Sequence, residues 1–213
     1  YELRGRIWAD DRAMIGGSDA GAHLDLVDSF AYSTSLLQYV DLQSAISHVV
    51  EKGETPLFIL LDGLTDVRNI GAIARSALCC GAHGLIFPTS SSASLTEEAV
   101  KTSAGALNKI LLCRIPSVPQ AIDVMRLNGI QVMGTQMKGS IPIYKADFSG
   151  PACIVMGAED TGISKDVIKR ADVLIRIPMK QRFDSLNVSV ATGMILYEAM
   201  RQRLQGTDDD AEL

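Results

Sequence analysis

A chain of 213 residues, 47% hydrophobic and 21% charged, has the make-up of a soluble globular protein, with length for one good core or a domain of ~150–180 residues plus an appendage. No run approaches the ~18 apolar residues of a membrane span, and no charged-then-apolar leader opens the sequence. The net charge of −5 lacks the basic excess of most nucleic-acid binders, which leaves room only for a local basic patch.

The first 50 residues differ from the rest. "DRAMIGGSDAGAHLDLVDSFAYSTSLL" is rich in Gly, Ser and Asp and announces no strand–helix unit. Leu42 to Val50 has helical spacing and leads through "EKGETP" into the first strand, "PLFILLD" (Pro56 to Asp62). From there strands and helices alternate. "NIGAIARSALCCGA" (Asn69 to Ala82) is helical, "GLIF" (Gly84 to Phe87) a strand, and "TEEAVKTSAGAL" (Thr96 to Leu107) a helix opened by Thr96. "KILLCRI" is a strand, "VPQAIDVMRLNG" a helix, and "IQVMGT" and "ACIVMG" (Ala152 to Gly157) are strands. "SKDVIKRA" is a short helix and "VLIRIP" (Val173 to Pro178) the last strand. The final helix carries Val188, Ala191, Ile195 and Ala199 on one stripe. This alternation predicts an α/β fold with a mostly parallel sheet covered by helices on both faces. Residues 1–50 read as an N-terminal extension of foreign character, 51–205 as the main domain, and 206–213, with Asp208 to Asp210, as an acidic tail.

The four cysteines (Cys79, Cys80, Cys113, Cys153) lack zinc-type spacing, and adjacent Cys79 and Cys80 do not readily bridge each other. Reduced thiols in a cytoplasmic protein are expected.

Ligands of open α/β sheets sit at the carboxyl ends of the strands, and three such ends stand out. In "LDGLTDVRNIGAIARSA", Asn69 occupies the expected N-cap position, Gly71 permits close approach, and Arg75 falls near the buried stripe of a small-residue helix. In "VMGAEDTGIS", Gly157 and Gly162 bound a loop carrying Glu159, and Ser164 is placed to cap the next helix. In "RIPMKQRFDSLNVSVATGMILYE", Asn187 is placed to cap the last helix, which leaves Ser185 as a second polar group free for a ligand. Neither a G-x-G-x-x-G nor a Walker pattern accompanies them.

Together, in this order and spacing, "LDGLTDVRNIGAIARSA", "IVMGAEDTGIS" and "IPMKQRFDSLNVSVATGMILYE" resemble the signature motifs of the SpoU-type RNA 2′-O-methyltransferases of the SPOUT superfamily. The resemblance covers Tyr39 to Gln205. It implies a C-terminal trefoil knot, S-adenosylmethionine bound in the knot, a homodimer with each site near the subunit interface, and RNA as substrate. Matched position by position, it implies that Arg75 contacts the ribose 2′-hydroxyl or a neighbouring phosphate, Asn69 holds Arg75 or the ribose, and Glu159 orients the pocket. Ser185 and Asn187 then line the catalytic wall. Gly157, Ile177 and Leu186 are implied as backbone contacts of the cofactor, with Thr135 and Met179 beside them. The wording of the motifs favours rRNA guanosine over tRNA.

Two departures stand out. The family usually has Gly two residues after the Met of "IPM", where this chain has Gln181 between Lys180 and Arg182. Many relatives carry an N-terminal RNA-binding domain, for which no counterpart is expected in these 213 residues. Instead, Arg12 to Leu37 resembles a piece of D-aminoacylase-type amidohydrolases, in which the Asp of "SDAGAH", here Asp19, serves a metal site. A metal hydrolase needs ligands from several strands, and His48 and His83 show no such pattern, so no metal is expected and His23 reads as a loop residue. The competing expectations are a catalytically silent RNA- or partner-binding dimer of the same fold and, more remotely, metal-dependent amide hydrolysis through Asp19 and His23.

Overall fold

The computed structural model describes residues 37–89, 95–181 and 185–205. Strands β1 (Tyr39–Val40), β2 (Leu57–Asp62), β3 (Gly84–Pro88), β4 (Leu111–Ile115), β5 (Gln131–Thr135), β6 (Ile141–Pro142), β7 (Ala152–Gly157) and β8 (Val173–Arg176) form one sheet. Its order is β1-β4-β3-β2-β7-β5-β8-β6, and each of its strand pairings is parallel. The helices are α1 (Leu42–Glu51), α2 (Val67–Cys79), α3 (Glu97–Thr102), α4 (Val118–Leu127), α5 (Lys165–Arg170) and α6 (Val188–Gln205).

The central strands are buried on both faces, so they read as unbroken apolar runs. Along β2, Leu57, Ile59 and Leu61 point into one core, with Ile70, Ile73, Ala74 and Ala77 of α2 and Ile195, Leu196 and Ala199 of α6. The alternate residues Phe58 and Leu60 point into the other, with Leu42, Ile46 and Val49 of α1 and Ile122 and Met125 of α4. Strand β7 divides in the same way, Ile154 to the first core and Val155 to the second.

Several local expectations shift. The sequence places the domain boundary between Leu36 and Glu51, and Leu37 and the buried face of α1 belong to these two cores, so the packed unit reaches back to the early end of that range. The two-residue strands β1 and β6 are too short to show a period in the sequence. Helix α2 starts two residues ahead of Asn69. Its cap is Asp66, whose carboxylate accepts from the Arg68 amide at 2.9 Å. Helix α3 ends at Thr102 rather than running to Leu107, because Ala104 (φ 49°) and Gly105 (φ 86°) turn the chain through the left-handed region. A 3-10 turn at Ala106–Asn108 follows. Gly71 is required at the α2–α3 contact, since a Cβ there would collide with the Ala99 carbonyl oxygen.

The chain lays down β2, β3 and β4 towards one edge, then crosses to the other side of β2. There β7 enters between β2 and β5, and β8 between β5 and β6. The reversal is a topological switch point, the place where open α/β sheets gather their ligands. The far end of α6 is tied down by Arg203, whose guanidinium donates to the carbonyls of Phe148 (3.0 Å), Thr55 (2.8 Å), Pro56 (3.1 Å) and Gly150 (2.8 Å).

Candidate active site

At the carboxyl ends of β5, β7 and β8 lies a cavity of about 450 Å³, within the usual size range of small-molecule sites. Thr135 closes β5, Gly157 closes β7, and Ile175 and Arg176 close β8, and all four line it. Ile177, Met179 and Leu186 add apolar wall, and Val188, Ala191 and Ile195 of α6 form another side. All five residues expected around the cofactor (Thr135, Gly157, Ile177, Met179, Leu186) therefore meet in one place. The Thr135 hydroxyl donates to the Val155 carbonyl at 2.9 Å, which fixes its rotamer and leaves its oxygen lone pairs for a donor.

Gly157 serves the chain itself. A Cβ there would strike the backbone of Gly162 and Ile163, where the loop after β7 folds back through the Ala158–Gly162 bridge. The close approach expected of a ligand is made by the protein's own loop. The loop is further held by the Ser164 amide, which donates to the Asp62 carboxylate at 2.7 Å, while the Ser164 hydroxyl caps α5.

Three of the five expected catalytic residues form one hydrogen-bonded cluster. The Glu159 Oε1 accepts from Asn69 Nδ2 at 2.8 Å and from Asn187 Nδ2 at 3.1 Å. Asn187 Nδ2 also donates to Asn69 Oδ1 at 3.1 Å. The second role of Asn187 is the cap expected of it. Its Oδ1 accepts from the Ser189 and Val190 amides and from the Ser189 hydroxyl, at 3.0, 3.3 and 2.6 Å. One side chain thus starts α6 and ties it to both α2 and the β7 loop. Asn69 is not the cap of α2. It sits on the third residue of the helix, buried, and its amide is turned towards Glu159. Glu159 and Ser185 line the cavity, which sets the cluster on its rim.

Arg75 is not brought to this cluster. Six residues along α2 from Asn69, it lies about 9 Å further down the helix axis. It is exposed rather than near the buried stripe. Asp19 and His23 lie outside the described residues, as do Arg182 and the rest of 182–184. Among the described residues no group of three or more His, Cys, Asp or Glu could hold a metal ion. Gln181 is exposed. The four thiols are free, and burial pushes Cys113 and Cys153 up to about 12.

Gln136 was not anticipated. It follows Thr135 in the cavity wall, and its buried amide oxygen has no hydrogen-bond partner among the described residues. A glutamine after a strand carries no signal in the sequence that separates it from an ordinary surface residue.

Fold and cavity together define an α/β protein with a cavity of small-molecule size at the carboxyl ends of β5, β7 and β8, beside the switch point of a parallel sheet, and a carboxylate–amide cluster on its rim. Residues 56–197 match the SpoU rRNA Methylase family, and the chain belongs to that family. It is 37% identical over 162 residues to the 23S rRNA (guanosine-2′-O-)-methyltransferase RlmB of Pseudomonas syringae, covering 76% of this chain and 65% of that protein. The chain thus spans somewhat less than two thirds of that relative's length. The SpoU methyltransferase AviRb of Streptomyces viridochromogenes, solved in complex with AdoMet, superposes with a TM-score of 0.67 at 34% identity, over 72% of this chain and 60% of that one. The TrmH/SpoU tRNA modifying enzyme of A. aeolicus gives 0.66 at 28% identity, over 78% and 85%.

Proposed function

We propose that the protein is an S-adenosylmethionine-dependent RNA 2′-O-ribose methyltransferase, acting on rRNA guanosine. The observation that carries this reading is the Asn69–Glu159–Asn187 cluster on the rim of the cavity, in a chain of the SpoU family. The cavity suits the cofactor chemically. Ile177, Met179 and Leu186 give apolar walls to an adenine ring, and the strand ends offer backbone donors and acceptors for its edge. When bound, S-adenosylmethionine supplies an electrophilic methyl group on a sulfonium sulfur.

The chain's own residues do the rest. A ribose hydroxyl is a weak nucleophile until the charge developing on its oxygen is stabilised. Arg75 is a permanent cation suited to that oxygen or to the adjoining phosphate, and the phosphate is the economical acceptor of the hydroxyl proton. Glu159, held by two amides, keeps a fixed negative wall at the cavity mouth, with Ser185 and Asn187 on the side of the ribose. Thr135 and Gly157 hold the cofactor side.

Arg75 reaches none of these groups within its own subunit, and this motivates the dimer. Val190, Met194 and Tyr197 are 54%, 45% and 59% exposed on the outer face of α6, beside α2. An apolar face of this kind favours a self-complementary contact. A homodimer through α2 and α6 would bury it and bring Arg75 to a completed site. We also propose that the segment after β5 passes through the preceding loop as a trefoil knot, a rare exception to unthreaded topology. The insertion of β7 and β8 between earlier strands and the tight crossing at Gly157 support it. Residues ahead of the packed unit form an extension of foreign character, those after Gln205 an acidic tail, and the location is cytoplasmic.

Incubation with labelled S-adenosylmethionine and total rRNA or tRNA tests the activity. A labelled 2′-O-methyl nucleoside is expected, and no transfer together with no heat of cofactor binding would sink it. Two readings remain beside it. Transfer to tRNA instead of rRNA would move the substrate towards that of the A. aeolicus relative. Gln181 in place of glycine motivates a silent RNA-binding dimer, for which cofactor binding would be absent while RNA binding persisted.

A further inference from the structure

At the opposite edge of the sheet from the cavity, Arg114 of β4 lies with its guanidinium over the ring of Tyr39 of β1. Its guanidinium carbon is 4.2 Å from the Tyr39 ring centroid, and its Nη2 donates to the Tyr39 hydroxyl at 3.1 Å. Buried Phe87 backs the pair, edge-on to Tyr39 at 5.9 Å and 79°. Tyr39 remains 39% exposed and Arg114 is exposed as well.

Arg68, Arg126, Arg170 and Arg201 each lie within ion-pair distance of a carboxylate. Among the described residues Arg114, like Arg75, Arg176 and Arg203, has no carboxylate within ion-pair distance, and of these four it is the one that lies on an aromatic ring. Its one side-chain hydrogen bond among the described residues goes to a neutral phenol. A protein of net charge −5 keeps this cation unneutralised on an aromatic ring, at the penultimate residue of a strand and so towards the carboxyl side where the cavity opens. Phe87 shares a core with the buried residues of α2 and α6, so the pair lies on the face of the sheet that carries the Asn69–Glu159–Asn187 cluster. In the sheet, β4 is three places from β7, about 14 Å at the usual strand spacing. A short single strand spans that distance.

We propose that Tyr39 and Arg114 form a platform on which an unpaired base of the RNA substrate stacks while a nearby nucleotide occupies the active site. Guanidinium planes and aromatic rings are the surfaces on which proteins stack splayed-out bases, and the Tyr39 ring holds the Arg114 plane in place before RNA arrives. The platform rests on the RNA methyltransferase reading above and extends it to a second contact on the substrate.

The test is the affinity of the full chain for a fluorescein-labelled single-stranded oligoribonucleotide, read by anisotropy, with cofactor binding measured in parallel. Arg114→Gln and Tyr39→Leu should each weaken RNA binding by about 5- to 100-fold, the range for loss of one stacked base, with cofactor affinity and melting temperature unchanged for Arg114→Gln. Arg114→Lys, which keeps the charge and loses the plane, should fall nearly as far. An abasic ribose at one position of the RNA should weaken wild type to the same degree and cost Tyr39→Leu nothing more, the signature of one shared contact. Binding within twofold of wild type in Arg114→Gln and Tyr39→Leu overturns the platform and leaves the methyltransferase reading intact. Full affinity in Arg114→Lys overturns it too, because the contact is then with phosphate. A wild-type protein that binds no RNA removes both.

Discussion

Replacing Asn187 separates the two tasks given to that side chain. In wild type its oxygen caps α6 through the Ser189 and Val190 amides, and its amide nitrogen donates to Asn69 and Glu159. Asn187→Ala removes both. The cap is worth about 1 kcal/mol, and the two partly exposed amide bonds about 0.5–1 kcal/mol each. The expected loss is roughly 2–3 kcal/mol, or a melting point lower by about 5–10 °C in a chain of this size. Asn187→Asp keeps the cap, because aspartate caps as well as asparagine does, but it sets a carboxylate oxygen where a donor stood 3.1 Å from Glu159. Two facing carboxylates raise each other's pKa in the folded state, so their repulsion is felt above those values and relieved as protons bind. The deficit of Asn187→Asp against wild type should therefore shrink as pH falls from 8 towards 5, while that of Asn187→Ala stays flat. Thermal denaturation followed by circular dichroism across that range reads both. Equal pH dependence in the two variants would refute the contact between Asn187 and Glu159 and, with it, the cluster.

Gly157→Ala should cost several kcal/mol or abolish folding, since the new Cβ meets backbone at Gly162 and Ile163 rather than a yielding side chain; soluble yield and melting temperature check it. Arg203→Met removes four charge-assisted bonds to carbonyls, part of which water recovers, and should lower stability by about 2–4 kcal/mol in urea unfolding. Arg201 and Gln202 hold the Glu198 carboxylate below its ordinary value. Its contribution to stability is present above that ordinary value and lost as pH falls through the lowered one, so Glu198→Gln should flatten the acid limb of the stability curve. Thiol titration of the native protein should leave Cys113 and Cys153 unreacted, their pKa raised to about 12 by burial, and all four thiols should react in denaturant.

The parts of the fold that could be read in the sequence are those with a strong local cause. Unbroken apolar runs such as Leu57 to Leu61 and helices with a clear stripe gave a parallel α/β sheet, whereas the cavity residues Thr135, Gly157, Ile177, Met179 and Leu186 came from the resemblance to the SpoU motifs. What escaped depends on contacts between distant segments. Asp66 took the cap from Asn69 because Asn69 is drawn to Glu159, 90 positions away. The strands β1 and β6 exist only through pairing with β4 and β8. Arg75 reads as a residue of the site, but a helix position fixes only its direction relative to neighbouring turns, and on α2 that direction is outward. The stacking of Arg114 on Tyr39 joins two residues 75 positions apart, and no local pattern announces it.

The fate of a labelled methyl group bears most directly on the proposed chemistry. Incubated with methyl-labelled S-adenosylmethionine and 23S rRNA lacking the modification, the wild-type protein should yield labelled 2′-O-methylguanosine on nuclease digestion and mass spectrometry, and Glu159→Ala should reduce that yield by tenfold or more. Label on a base instead of a ribose, or no label at all with no calorimetric heat of cofactor binding, would contradict the assignment of this cavity and its Asn69–Glu159–Asn187 rim to ribose methylation.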